Sequence, residues 1–538
     1  MSTDASLLPD TATLPDDPVV LKQLVFQLFE ELQKANGRVQ RMEQHMDLLL
    51  RRLYGRSSEK LDPRQGLLFD LLQGQMEEQA AGPPPSDKAK PSDGSSPNRH
   101  KHGRGRIPET FERVEQVHDL TDAEKEALGG AEKLVEIGEE VSEQYEWKPS
   151  ALFVIRHVQK KYARREQLPE SGLKLHEKNV ITAGKPPQAI PGSLAGAGLL
   201  AQVIVSKYGD HLPLYRLEGI FQRQGARFSR QTTDGWVLAC ADLLVPLHAL
   251  AKQIVLGSEV IHTDDTPVKV RDAHKKLKHT GRFWDYVGDE RHSLTVFDYT
   301  PTRQRDGPAE FLKDYRGYLQ ADAFGGYDGI YLNSNGQIIE VGCWAHARRK
   351  FFENRRADTP RAEIALAWIG KLYAVEKELR GRASGEWKEL EWADRAGRIA
   401  AARQEHSRPL LAQFHSWLES ECPKLLPKSP IRQAMEYTLS NWTALCRYTD
   451  SGILAIDNNA AENALRGICI GRRNWLFCGS DRGGRAAAIH FSLIASCKRH
   501  GLDPWAYLRD VLVRLPALLP ADNPEVLLPL LPHRWQPT

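Results

Sequence analysis

The sequence predicts a multidomain protein of mixed α/β (α+β) class, and three observations carry that expectation. A heptad run of apolar residues occupies residues 18–60, alternating strand-like segments appear in two separate blocks, and helix-like segments lie between and after them. At 538 residues the chain is far longer than one typical domain, so several folding units with at least one sizeable core are expected.

From Leu21 the residues Leu21, Val25, Leu28, Leu32, Ala35, Val39, Met42, Met46, Leu49 and Leu53 step alternately by four and three, the a/d signature of a coiled coil. Residues 18–60 are therefore read as a leucine-zipper-like helix that self-associates into a homodimer or higher oligomer, in spite of Gly37. Residues 61–106 are rich in Pro, Ser, Gly and charge and end in N-R-H-K-H-G-R-G-R. That composition predicts a disordered basic linker whose Arg99–Arg106 end suits phosphate contact.

Residues 107–183 alternate apolar and polar in V-E-I-G-E-E-V-S-E-Q-Y-E-W and A-L-F-V-I-R-H-V-Q-K-K-Y-A, which predicts a small antiparallel sheet. Residues 184–255 turn helical, with Gly-containing turns; a helix-turn-helix DNA reader centred on Ser229 to Trp236 and ordinary helical packing both fit. After Ser258 the segments run β-β-β-α-β-α-β, the order of the ribonuclease H-like fold, a likeness by analogy. That catalytic domain is placed at 256–354 and 451–500, around a helical insertion at 355–450, with a C-terminal helix and tail at 501–538.

Composition excludes some classes. With 73 basic and 70 acidic residues and a net charge of +3, attraction to nucleic acid must come from local patches. All seven cysteines lie from Cys240 onward with no C-x-x-C pair, as expected of reduced thiols in a reducing compartment. The first residues lack the basic and apolar blocks of a signal peptide, and no run of about 18 apolar residues is apparent. A cytoplasmic protein with no membrane partner is expected.

The chemistry-bearing candidates are carboxylates at strand ends. I-H-T-D-D-T-P closes the first strand of the later block with Asp264 and Asp265, and L-Q-A-D-A closes the fourth with Asp322. Adjacent strand ends of this kind can share hard divalent cations, Mg²⁺ or Mn²⁺, through oxygen ligands. A third carboxylate is offered by I-D-N-N-A-A-E-N-A-L-R, a helix capped by Asp457 or Asn458. Asn459, Glu462 and Arg466 share one face there, which would let Asn459 orient Glu462 and Arg466 meet phosphate, although spacing alone favours an exposed helical glutamate. His346, Arg348, Arg349 and Lys350 follow the fifth strand as phosphate contacts, with a structural histidine as the other reading of His346. Arg472, Arg473 and Trp475 suit a backbone grip and base stacking, or core packing in the case of Trp475.

H-T-D-D-T-P, L-Q-A-D-A-F-G-G-Y, C-W-A-H-A-R-R-K-F-F, I-D-N-N-A-A-E-N-A-L-R and G-R-R-N-W-L-F-C-G-S-D-R-G-G together resemble the transposases of the insertion sequence 66 family. L-Y-G-R-S-S-E-K, S-K-Y-G-D-H-L-P-L-Y-R and L-D-P-W-A-Y-L-R-D-V-L extend the likeness over nearly the whole chain. The resemblance implies a DDE transposase of a mobile element, with Asp264, Asp322 and Glu462 as catalytic triad and ligands of two Mg²⁺ or Mn²⁺ ions. It further implies DNA partners, namely the element's terminal repeats and target DNA, two small accessory proteins of the same element, and a place on the bacterial nucleoid. A structure-selective nuclease and an inactive, host-adopted DNA-binding protein are the alternatives.

The sequence departs from that family in one place. Relatives carry a cysteine-based zinc site before S-K-Y-G-D-H, whereas here no cysteine precedes Cys240. The zinc-finger-like β domain is therefore expected to hold without zinc and to meet DNA through His157, Lys160, Lys161, Arg164 and Arg165, and Cys343-x-x-His346, half a zinc site with no second pair nearby in sequence, is expected to bind none. Alternation along a strand sends His262 and Asp264 to one face and Thr263 and Asp265 to the other, so Asp265 is assigned a supporting role beside the metal ligand Asp264.

Overall fold

The computed structural model describes residues 107–148, 151–164, 180–272, 277–304, 306–322, 326–519 and 523–537, together with Glu31. The expected zipper at 18–60, Glu31 apart, and the expected linker at 61–106 lie outside the described residues, as does Arg165.

The first sheet holds β1 (Arg113–His118), β2 (Leu134–Lys148), β3 (Ala151–Arg164) and β4 (Val180–Thr182). Strands β2 and β3 form the antiparallel hairpin that their alternation predicts, offset by a bulge between Glu136 and Gly138. The expectation of a wholly antiparallel sheet fails at β1, which runs parallel to β3. The reason is topological: helix α1 (Asp122–Ala127), closed by a Thr121/Glu124 capping box, belongs to a crossover from β1 to β2, and β3 then inserts between them. Leu120, Leu134, Tyr162 and Ala183 form the small core beneath.

Three helices follow, α2 (Ala197–Tyr208), α3 (Leu214–Arg223) and α4 (Arg230–Leu256). The start of α2 docks on the sheet through Glu146, whose buried carboxylate accepts the Leu199 N–H at 2.8 Å. An anion there complements the helix dipole. The S-L-A-G-A-G sequence is explained by that approach, since a Cβ on Gly198 would lie 2.2 Å from the Glu146 carboxylate. Helix α4 is long and apolar enough by composition to cross a bilayer, a run the sequence reading did not identify. It buries Trp236, Val237, Cys240, Leu244, Leu247 and Val255 along one side in this structure.

The second sheet contains β5 (Val260–Asp272), β6 (Leu277–Val287), β7 (Thr295–Thr300), β8 (Gly317–Gln320) and β9 (Ile338–Val341). Helix α5 (Asp306–Phe311) precedes β8 and α6 (Asp328–Asn333) precedes β9, so the order is β-β-β-α-β-α-β as read from the sequence. Spatially the strands lie β7-β6-β5-β8-β9, with β5, β6 and β7 antiparallel and β8 and β9 parallel to β5. Strand β5 does not stop at Asp265. It continues to Asp272 as a hairpin with β6, beyond the end of β8. Pro267 is tolerated because its carbonyl faces away from β6 and accepts Arg472 Nη1 at 2.8 Å, on a side where β8 has ended and no ladder N–H is required.

Helix α7 (Trp344–Glu353) leads into α8 (Thr359–Ser384), α9 (Trp392–Glu421), α10 (Pro430–Ser440) and α11 (Trp442–Cys446), the helical insertion. Its core joins Trp344 and Phe351 of α7 to Ile369, Leu372, Phe414 and Leu418. Arg403 is buried there and paired twice with Glu376, at 2.8 and 2.7 Å, while its third nitrogen reaches the Tyr448 and Ser451 carbonyls. The chain then returns to the sheet as α12 (Asn459–Trp475), α13 (Asp481–Arg499) and α14 (Pro504–Leu518). Helix α13 covers the edge strand β7, whose Thr295 and Phe297 N–H groups donate to Ser496 and Ser492. That contact satisfies an edge that would otherwise be open.

Candidate active site and nucleic-acid interface

The two faces of β5 differ as alternation requires. On one face the His262 imidazole lies 3.1 Å from the Asn458 side-chain oxygen, and Asp264 points the same way. On the other, Thr263 meets the Tyr327 hydroxyl, and the Asp265 carboxylate accepts Arg282 at 2.7 Å and Arg303 at 3.0 Å. Asp265 is thus neutralised by two guanidinium groups inside the protein.

Asp264 has the opposite surroundings. His262 pairs with Gln320 in the last rung between β5 and β8, which brings Asp264 level with Asp322 just past the end of β8. Burial pushes the Asp264 carboxyl well above its ordinary range, and the nearby charges of Asp322, Asp265 and Glu462 push it further. Directly across the ladder stands Asp285. Its Oδ1 accepts the Asp264 N–H at 2.7 Å, its Oδ2 is buried without a hydrogen-bond partner among the described residues, and burial raises it too. Sequence reasoning missed Asp285. The available signal was a single carboxylate inside the apolar run R-F-W-D-Y-V.

Glu462 arrives on the first turn of α12, and Asn458 fixes that turn. The buried Asn458 amide donates to the Thr263 carbonyl at 2.9 Å, and its N–H donates to the Cys343 sulfur at 3.2 Å. These bonds tie the helix start to β5 and to the head of α7. The exposed Asn459 was expected to orient Glu462; its side chain turns back to Asp457 Oδ2 at 3.0 Å, because Asp457 caps the same turn. Glu462 faces Arg349 at 3.7 Å and His346 at 3.8 Å. Burial raises its carboxyl against the pull of Arg349.

Asp264, Asp322 and Glu462 therefore come from β5, the end of β8 and α12 to one locus. Hard oxygen donors gathered so that Asp322 and Glu462 raise the Asp264 carboxyl fit a divalent cation of the Mg²⁺ class.

The expected DNA contacts divide. Arg466 and Arg473 are exposed on α12. Arg472 is committed to the fold, donating to Thr266 Oγ1 at 2.7 Å and to the Pro267 carbonyl. Trp475 is half-buried and packs back over Gly471, where a Cβ would come within 2.6 Å of its indole nitrogen. Its neighbours Leu476 and Phe477 are exposed instead, and Leu476 has a φ of 66°. The His346 imidazole is pushed down to about 3 by burial and by Arg349 and Lys350, so it is neutral and cannot serve as a cationic phosphate contact. Arg348 lies over the Phe352 ring and Lys350 over the Tyr437 ring.

In the first sheet the expected DNA surface is corrected at His157. His157 is buried, bonded to His118 at 3.0 Å and to Gln144 at 2.8 Å. Lys160 and Lys161 stay partly exposed and pair with Glu136 and Glu140 across the hairpin, which offsets their charge at the surface. At the expected helix-turn-helix, Ser229 caps α4 and Trp236 is buried against Phe228, while Arg230, Gln231 and Thr232 are exposed.

Comparison with known proteins adds what geometry does not. A family model described as "Transposase IS66 family" matches residues 192–486, more than half of the chain. The chain belongs to the IS66 transposase family. An "IS66 C-terminal element" matches 492–530, a "zinc-finger binding domain of transposase IS66" matches 128–165, and a "Transposase C of IS166 homeodomain" matches 41–115. Two relatives from Sinorhizobium fredii are uncharacterized proteins. y4hP is 31% identical over 92% of this chain and 88% of its own length, and y4qI is 29% identical over 96% and 97%. Membership in the family implies a nucleic-acid-acting enzyme with a transposase role. The zinc-finger match does not support the expectation of a zinc-free domain. Within 128–165, however, the chain has no cysteine, and its one imidazole, His157, is already bonded. That donor set does not fit a structural zinc ion.

Proposed function

We propose that this IS66 transposase cuts the ends of its insertion sequence and joins them to target DNA, using Asp264, Asp322 and Glu462 on a ribonuclease H-like sheet. One observation carries the reading. Three carboxylates from distant segments converge while the adjacent Asp265 is neutralised by Arg282 and Arg303. Asp264, Asp322 and Glu462 would hold Mg²⁺ or Mn²⁺, which when bound supplies Lewis-acid polarisation of the phosphodiester and an activated oxygen nucleophile.

The chain's own residues do the rest. Asn458 holds Glu462 in register with β5, Arg349 opposes the rise that burial imposes on its carboxyl, and Arg282 with Arg303 removes Asp265 from competition for the ions. Exposed Arg466 and Arg473 on α12 give positive charge for the DNA backbone. Hydrolysis breaks a P–O bond and frees a 3′-OH. That hydroxyl then forms a new O–P bond at the target as the target's own 3′-oxygen leaves, so no covalent enzyme intermediate is required. The reaction takes place in the cytoplasm on nucleoid DNA, by a homodimer or higher oligomer working with two small accessory proteins.

The test is strand transfer with labelled element ends, comparing wild type with Asp264→Asn, Asp322→Asn and Glu462→Gln in the presence of the accessory proteins. Loss of transfer in each variant is expected, and full activity in Glu462→Gln would discard the triad. We also propose that residues 107–164 fold without zinc, around the His118, His157 and Gln144 hydrogen bonds. Zinc retained stoichiometrically in a Cys343→Ser variant would overturn that reading.

A further inference from the structure

Glu462 has a second set of neighbours, at the head of α7. Cys343 precedes α7, and His346 stands three residues on, a spacing that brings both side chains to one face of the helix start. One donor atom from each of Cys343, His346 and Glu462 lies within 4.8 Å of the other two. His346 Nδ1 and Glu462 Oε1 are 3.8 Å apart, and both atoms are buried without a hydrogen-bond partner among the described residues. Two orphaned polar atoms facing each other beside a buried sulfur are costly unless something bridges them.

A thiolate, an imidazole and a carboxylate form the donor set of zinc-class ions, whereas Mg²⁺ avoids sulfur. Around tetrahedral zinc, donor atoms stand roughly 3.5 Å apart, so closing on an ion requires only small rotamer adjustments. We propose that Cys343, His346 and Glu462 form a second metal site that takes one zinc-class transition ion and leaves its fourth position to water. Binding releases the Cys343 thiol proton to solvent and uses the neutral imidazole through Nδ1. Because Glu462 is shared, occupancy holds that carboxylate on the α7 side, and zinc then inhibits the Mg²⁺-dependent reaction. This consequence rests on the transposase reading, and the binding itself does not.

The test uses the full chain, stripped of metal and titrated with Co²⁺ in the absence of DNA. Wild type is expected to bind one equivalent with cobalt–thiolate charge-transfer absorption, displaced by one equivalent of Zn²⁺. Cys343→Ser should lose the absorption, and Cys497→Ser, at a buried thiol of α13, should keep it. His346→Gln should weaken cobalt binding roughly tenfold or more. No charge-transfer band in folded wild type, or an equal band in Cys343→Ser, would overturn the proposal. If Cys343→Ser does not fold, an unchanged cobalt affinity in His346→Gln does the same. Since no DNA is present, failure here is separable from failure of the transposase reading.

Discussion

Adjacent aspartates in β5 should respond to the same substitution with opposite effects on stability. Asp265→Asn removes the negative partner of two guanidinium groups, on a side chain only 4% exposed. Asparagine keeps one acceptor, so one of two charge-assisted bonds is lost, worth about 1.5–3 kcal/mol. Arg282 and Arg303 also face each other with the Asp265 charge gone. Breaking a buried pair costs about 3–5 kcal/mol, and the partial exposure of Arg303 places Asp265→Asn near the lower end, about 3 kcal/mol. Asp264→Asn removes one of several mutually repelling carboxylates and keeps the acceptor for the Asp265 N–H. The folded protein holds the Asp264 carboxyl above its unfolded range, so its ionised form weakens the fold at pH 7 and its removal should leave stability equal or higher. Urea denaturation of metal-free protein at pH 7 reads both variants. Equal losses, or a larger loss in Asp264→Asn, would refute the reasoning.

Two further outcomes follow from buried titratable groups elsewhere. Arg403→Ala strands Glu376 inside the helical insertion, and a loss of roughly 3–5 kcal/mol in denaturant titration is expected; a change below about 1 kcal/mol would contradict the buried pairing. Burial pushes the His490 imidazole down to about 4. A base depressed in the fold stabilises it above the unfolded value near 6.5, and that contribution is lost as pH falls, on the order of 3 kcal/mol by pH 4. His490→Gln should therefore flatten the decline in stability between pH 6.5 and 4, and an unchanged slope would exclude His490 as its source.

Much of the second sheet was legible in the sequence because strand order and alternation are local. The split of His262 and Asp264 from Thr263 and Asp265 needed only the two-residue period of β5. What stayed hidden depends on pairing between distant segments. Asp285 enters the site through the register of β6 on β5, and the clamp on Asp265 draws Arg303 from the loop after β7. Pro267 read as a strand end because the departure of β8 from that edge is not written in the local sequence. Helical spacing puts Asn459 on the face of Glu462, whereas the deciding bonds run from Asn458 to β5 and Cys343. His157, Lys160 and Lys161 looked like a basic surface because their partners His118, Glu136 and Glu140 lie on neighbouring strands.

The central claim is that Asp264 holds the catalytic ion directly, and an Asp264→Cys variant tests it. A thiolate ligand disfavours Mg²⁺ and tolerates Mn²⁺ better. End cleavage by Asp264→Cys should be absent in Mg²⁺ and return in part in Mn²⁺, with Asp264→Ala inactive in both. Equal activity of Asp264→Cys and wild type in Mg²⁺, or rescue of Asp264→Ala by Mn²⁺, would contradict the account.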